Sequence, residues 1–470
     1  MSNDKRRAAA LLTTTSALAT AFLVACGPSS AGHDNSAAPE DSVSNDQGDA
    51  GSSEGLQPER TSGRVRHHDA GAPKDAGATT RDAGSATEAG DSEDAGTGTE
   101  TGSGGGSTPD AGGGSPAPEA GGGGGGNASG LAIHVSGNHL VDGAGNPITL
   151  RGVDVSNTEF TCAQNWTTDP YGGAPLSSVA TFQAIRGWNA NIMRLPLNED
   201  CWLNINGVEV GGSAYQSAIQ AEVAAAHAAG LFVILDLHWT APGTQRALSQ
   251  NPEPDLDHSP AFWTSLATMF ANDPGVIFDL FNEPYEWWGT DPDVWNAWLN
   301  GDTKTQYVTG GSPYQVTANW QSVGMQQLVN TVRATGAKQP ILINGIGWAN
   351  DASGWLAHAP VDPANQLVVG AHIYPGQPCA DTTCWDSVFG PIAAQYPVLV
   401  GETGDDVTAP VTFLPGFLSY ADAHGWNYLA WTWNPWQDPS DVLVTDWNGT
   451  PNAGEGATYK ATLLSHAYEN

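Results

Sequence analysis

The chain has 470 residues, with 50 acidic against 16 basic side chains and a formal charge of −34. Phosphate binding needs clustered Lys and Arg, so this balance excludes nucleic acid and other polyanions as partners and favours a neutral ligand. Length alone leaves the domain count open, because single α/β barrels reach about 250 residues or more.

Residues 1–25 read as an export signal. Lys5, Arg6 and Arg7 form a charged region, and residues 8–25 form an uncharged run of small and apolar residues, too short and too poor in large side chains for a membrane span. Leu23-Val24-Ala25-Cys26 resembles a bacterial lipobox, which implies cleavage before Cys26 and a lipid on its thiol; an ordinary secretory signal with a chance Cys is the alternative. Gly27 after the Cys points to the outer membrane or cell surface, with the membrane touched only through this lipid. Residues 26–130 repeat Asp-Ala-Gly and end in the run Gly121–Gly126, with almost no large apolar residues. Such a segment cannot offset the entropy of ordering, so a disordered tether is expected.

Foldable sequence begins near Leu131. Residues 131–151 alternate apolar and polar around turn signals at Ser136-Gly137-Asn138 and Asp142-Gly143, which predicts a short N-terminal β-hairpin. Strand-like runs follow at 148–155, 191–197, 231–238, 276–282, 340–346, 367–374, 397–402 and 426–433. Amphipathic helical stretches lie between most of them, at 177–188, 214–229, 261–272, 320–335, 385–395 and 415–424, with a last one from Tyr459. Eight apolar strands alternating with helices imply parallel pairing and an α/β fold, a closed (β/α)₈ TIM barrel over residues 131–470. The competing nucleotide-binding sheet lacks its fingerprint, since Arg151-Gly152-Val153-Asp154 carries no glycine triplet.

Four cysteines remain once Cys26 is set aside. In an oxidising compartment they suggest disulfides. Cys379 and Cys384 are close enough to pin one loop, leaving Cys162 with Cys201, although four cysteines allow three pairings. No His or second Cys stands at ligand spacing beside them, so neither a metal nor another cofactor is expected.

Barrels carry reactive groups at the C-terminal ends of their strands. Here those ends read Arg194, Asp236-Leu237-His238-Trp239, Asn282-Glu283, His372-Ile373-Tyr374, Gly401-Glu402-Thr403 and Trp431-Thr432-Trp433. Two are carboxylic acids, Glu283 and Glu402. Glycoside hydrolysis needs one acid to protonate the leaving oxygen and one carboxylate to attack the sugar or activate water.

In that order Arg194, His238, Asn282-Glu283-Pro284, His372 with Tyr374, Glu402 and Trp431 resemble the motif set of glycoside hydrolase family 5, the cellulase and mannanase family. The resemblance implies a retaining enzyme that requires no metal. It makes Glu283 the general acid/base and Glu402 the nucleophile, with Arg194 and Tyr374 holding Glu402. Asn282 would meet the sugar 2-hydroxyl, and His238 and His372 would position sugar hydroxyls and Glu283. Only one of Trp431 and Trp433 is expected to face the mouth, and Trp431 is taken as the sugar platform.

Eighteen tryptophans add to this reading. Trp239, Trp287, Trp288, Trp348, Trp433 and Trp436 fall in loops or strand ends on the mouth side, where indoles could stack on pyranose faces. Trp188, Trp263 and Trp320 read as helix packing. The expected protein is a monomeric, lipid-anchored endo-glycosidase of a neutral polysaccharide, with a β-1,4-glucan first and a β-mannan, xylan or xyloglucan as alternatives. A dead barrel that only binds glycan is a different class open to the same tryptophans.

Overall fold

The computed structural model describes residues 130–467, apart from residue 166 and residues 286–292, 305–306, 309–314, 317–318, 406–409 and 437–441. The export signal, Cys26 and the tether lie outside the described residues, as do Trp287 and Trp288. An antiparallel hairpin, β1 (Ile133–Ser136) and β2 (His139–Asp142), turns at Gly137 and Asn138, where Gly137 has a φ of 62°. The barrel strands are β3 (Arg151–Asp154), β4 (Ile192–Asn198), β5 (Phe232–Trp239), β6 (Val276–Asp279), β7 (Ile341–Asn344), β8 (Leu367–Ile373), β9 (Val398–Thr403) and β10 (Asn427–Ala430). All pair in parallel in chain order, and Ile341 beside Phe278 and Tyr428 beside Arg151 complete the closed ring.

Alternation along the strands separates two cores. Val153, Met193, Leu195, Val233, Phe278, Ile343 and Val369 pack outward under the helices. Ile192, Ile234, Ile277, Leu342, Val368 and Leu429 form an inner layer with Ile133 and Leu140, so the hairpin seals the lower end of the barrel. Moving two residues up the same inward rows, chemistry replaces grease: Ile192 leads to Arg194, Ile234 to Asp236 and His238, Ile277 to Asp279, and Leu342 to Asn344. Gly370 belongs to the Val368 row and must lack a side chain, because a Cβ there would stand 2.0 Å from Asn344 Oδ1. A register shift between Ala371 and His372 brings His372 level with Glu402.

Several boundaries differ from the sequence expectation. The β6 ladder ends at Asp279, three residues before Asn282, and β10 ends at Ala430. Residues two apart in a strand share a face. Because the ladder has ended, Trp433 instead turns into the outer core, edge-on to Trp188 at 4.7 Å. It is fully buried and does not belong to the mouth. The helix expected from residue 320 starts at Met325, since Trp320–Gln321 pairs with Thr303–Lys304 as a two-residue ladder. Two short helices, Glu199–Leu203 and Val294–Asn300, carry too few turns to show a period; the first is started by Asn198 Oδ1, which accepts from Asp200 N and Cys201 N. The stretch 385–395 is split into Trp385–Phe389, wound as a π-helix, and Gly390–Ala393.

Disulfides join Cys162 to Cys201 and Cys379 to Cys384. Their sequence separations are 39 and 5 residues. Loop-closure entropy makes the first worth roughly 4 kcal/mol and the second roughly 2 kcal/mol. Cys162→Ser with Cys201→Ser should therefore lower the urea midpoint more than Cys379→Ser with Cys384→Ser. The opposite order in parallel denaturation curves would show that chain entropy does not govern these bridges.

Candidate active site

At the upper end of the inward rows, side chains from four other strands converge on one guanidinium. Arg194 of β4 is fully buried and meets four carboxylates: Asp154 (Nη1 to Oδ1, 3.1 Å), Asp236 (Nη2 to Oδ2, 3.0 Å), Asp279 (Nε to Oδ2, 3.0 Å) and Glu402 (Nη1 to Oε1, 2.8 Å). Its Nη2 also donates to Asn282 Oδ1 at 2.6 Å. Burial pulls the Arg194 pKa down, but the surrounding carboxylates outweigh it and leave the pKa well above its ordinary value. Burial pushes Asp154, Asp236 and Asp279 well above the usual carboxylate range, against the pull of Arg194.

Glu402 sits at the level of His372. Its Oε1 takes the Arg194 bond, and its Oε2 accepts from Tyr374 Oη at 3.0 Å. Glu283 lies just beyond the end of β6 and is 8 % exposed. His372 Nδ1 is 2.8 Å from Glu283 Oε1 and 3.5 Å from Glu402 Oε2, so one imidazole stands between the two acids. A carboxylate oxygen of Glu283 and one of Glu402 lie within 4.8 Å of each other. Burial pushes the His372 pKa down to about 3, with Glu402 pulling the other way, so the ring is neutral at ordinary pH. Its Nε2 is buried without a hydrogen-bond partner among the described residues. The ring proton therefore belongs on Nδ1, where Glu283 accepts it.

His238 is oriented from behind by Asp236, Nδ1 to Oδ2 at 2.6 Å, and its pKa is lowered by burial. The Trp431 ring lies nearly parallel to His238, with centroids 5.7 Å apart and planes at 15°. Asn344 Nδ2 donates to Asp279 Oδ1 and to the carbonyls of Phe281 and Asn282, which fixes the turn that presents Glu283. The structure thus brings Arg194, His238, Asn282, Glu283, His372, Tyr374, Glu402 and Trp431 together in one mouth. Around it stand Tyr285 stacked on the half-buried Trp348 at 4.2 Å, and Phe160 between Trp239 and Trp436.

Sequence reasoning missed Asp154, Asp279 and Asn344, which it read as strand interior, and Gln250, which it read as loop; it named Asp236 at a strand end but gave it no role. Asp236 was legible, since it lies two residues before His238 and so shares its face. Among the described residues two groups have ligand-type atoms within 4.8 Å of one another: Glu283, His372 and Glu402, and Glu199, Asp255 and His258. In the first, each carboxylate already meets protein donors. In the second, Glu199 accepts from Ala241 N at 2.7 Å and Asp255 from His258 N at 2.8 Å, which cross-links the loop after β5 to the end of β4. Burial raises the pKa of both acids, Glu199 the more, so the pair shares a proton.

Comparison with known proteins agrees with this geometry. The family model described as Cellulase (glycosyl hydrolase family 5) matches residues 141–437. The chain is 22% identical over 346 residues to Endoglucanase CelA of Streptomyces lividans, covering 70% of this chain and 61% of that protein. It is 23% identical over 316 residues to a mannan endo-1,4-beta-mannosidase of the same organism, covering 65% and 67%. The chain thus spans about three-fifths of the first of these relatives. The crystal structure of beta-glucanase SdGluc5_26A from Saccharophagus degradans superposes with a TM-score of 0.52 at 23% identity, over 71% of this chain and 93% of that one; the same protein is also known in complex with cellotetraose. With a closed eight-stranded barrel, two facing glutamates and a family match across most of the barrel, the chain belongs to glycosyl hydrolase family 5.

Proposed function

We propose that this protein is a retaining endo-β-1,4-glucanase. The observation that carries this reading is the spacing of the two acids, with oxygens of Glu283 and Glu402 within 4.8 Å. Retaining enzymes hold their carboxyl groups about 5–5.5 Å apart, whereas inverting enzymes need about 6.5–9.5 Å to admit water. Glu402, held by two donors, attacks the anomeric carbon; the bond to the leaving sugar breaks, and Glu283 gives that oxygen its proton. Glu283 then takes a proton from water, which attacks the same carbon and releases Glu402 from the ester. In this reading Asn282 bonds the 2-hydroxyl, His238 and His372 orient hydroxyls and Glu283, and Trp431 with the Tyr285–Trp348 pair offers apolar surface for sugar faces.

A β-1,4-glucan is the leading substrate, supported by the cellulase family description and by the endoglucanase relative. The mannosidase relative supports β-1,4-mannan as the second reading. The test is initial rates on cellulose derivatives, mixed-linkage glucan, xyloglucan, xylan and galactomannan, with the first anomer released followed by proton NMR. Expected are the highest rate on a glucan and β-anomer first. A galactomannan maximum would transfer the assignment to the mannan, and α-anomer first would overturn retention.

The protein acts as a monomer in this reading. Among the described residues the exposed large apolar side chains, Leu256, Val361 and Leu464, are widely separated in the chain. It is held at the cell envelope, in the outer membrane or at the cell surface, by a lipid on Cys26. Cys26→Ser should then release the enzyme into soluble fractions, and unchanged membrane association would argue against the anchor.

A further inference from the structure

Gln250 lies in the loop between β5 and the helix Ser259–Met269, only 6 % exposed. Its Nε2 donates to Glu283 Oε2 at 2.9 Å, and its Oε1 accepts from Asn282 Nδ2 at 2.9 Å. Neither amide can be turned over freely. Arg194 has only donors, so the Asn282 atom that it meets at 2.6 Å must be the oxygen. That puts the Asn282 amide nitrogen toward Gln250, which in turn makes the facing Gln250 atom its oxygen and sends the Gln250 nitrogen to Glu283. The result is a one-way chain of donors from the arginine that holds Glu402, through the amide that faces the sugar 2-hydroxyl, to the acid/base.

We propose that Gln250 is a positioning residue for proton transfer, which clamps the second oxygen of Glu283 and couples its orientation to that of Asn282. The proposal rests on the acid/base role given to Glu283 above. With His372 on Oε1 and Gln250 on Oε2, each oxygen of Glu283 accepts from a protein donor. Both donors favour the ionised form. Other charged or titratable groups that act on Glu283 are Glu402 across His372, Asp236 and His238 from β5, and Arg194 behind Asn282. The loop is braced for this task, because Glu199 holds Ala241 N and Asn251 Nδ2 donates to Thr240 O.

The test compares wild type, Gln250→Met and Gln250→Glu on aryl β-glycosides of whichever sugar the wild type hydrolyses. One aglycone is a good leaving group that departs without a proton, the other a poor one that needs it. Gln250→Met should lower kcat/KM about tenfold on the poor leaving group. On the good one the loss should be much smaller. The alkaline limb of the pH profile, where the acid loses its proton, should move to higher pH while the acid limb stays in place. Gln250→Glu keeps the volume and should move the alkaline limb at least as far, since a second carboxylate beside Glu283 disfavours its ionisation. Equal losses on both aglycones, or an unmoved alkaline limb in a variant that melts like the wild type, overturn the proposal. If Gln250→Met does not fold, the Gln250→Glu profile decides alone. A wild type that hydrolyses no glycoside sinks the glycosidase reading instead, so the two failures are distinct.

Discussion

Glu402→Ala is expected to lower kcat by on the order of 10⁴-fold to 10⁶-fold, because the carbon–oxygen ester that splits the reaction into two steps can no longer form. The cavity left beside Arg194 and Tyr374 would keep both donors aimed at the missing carboxylate. A small anion such as azide can enter from that side and attack the anomeric carbon of an activated β-glycoside. It should restore turnover and give the α-glycosyl azide. Glu283→Ala should behave differently. Its glycosylation step should survive with a leaving group that needs no proton and fall by about 10²-fold to 10⁴-fold with one that does. Azide should then attack the glycosyl-enzyme from the opposite face and give the β-glycosyl azide. Two opposite azide configurations from two variants would assign nucleophile and acid/base without reference to any relative. The same configuration from both, or β-azide from Glu402→Ala, would sink the assignment made here.

The barrel and both acids were legible because each strand carries its own signal. An apolar run of four to seven residues ends in an abrupt polar residue, and eight such runs in order leave few architectures. Glu283 and Glu402 were visible as charges stranded at the tips of grease, and Arg194 as a lone charge inside an apolar run, where it sits third in a seven-residue strand rather than at its end. Asp154 and Asp279 were hidden for the opposite reason. They sit inside the ladders, paired level with neighbours such as Arg194 and Asp236, and a carboxylate inside a strand is tolerated only through a partner on another strand. No local window contains both members of such a pair. Gln250 was hidden because it reaches Asn282 and Glu283 across more than thirty residues of sequence. The place of Trp433 depended on where a ladder stops, and the two-residue rule that serves inside a strand fails once pairing ends.

The buried ring of acids makes Arg194 the side chain whose loss should cost the fold most. Arg194→Met removes the cation that four buried carboxylates share and should cost at least about 3–5 kcal/mol at neutral pH. That is a large fraction of the roughly 5–15 kcal/mol that holds a typical domain together. Arg194→Lys should fall between the two, since an ammonium keeps the charge but lacks the planar fork that reaches Asp154, Asp236, Asp279, Glu402 and Asn282 at once. The penalty should depend on pH with a fixed sign. Burial already raises the pKa of Asp154, Asp236 and Asp279, so the native state binds more protons than the unfolded chain above the ordinary carboxylate range. Each such group contributes stability that is fully present below its unfolded pKa and is lost as pH rises through the folded one. Taking away Arg194 raises the folded values further, so the variant should lose more than the wild type with each step toward neutrality. His238 and His372, whose pKa values are lowered first by burial and also by Arg194, destabilise the fold as pH falls; removing Arg194 relieves that lowering, so they too narrow the difference toward acid pH. The gap in urea midpoint between wild type and Arg194→Met should therefore be widest near pH 7 and close as pH falls toward the unfolded carboxylate value of about 4. A gap that stays constant across that range would mean that packing of the side chain, and not charge shared among the four acids, is what Arg194 supplies.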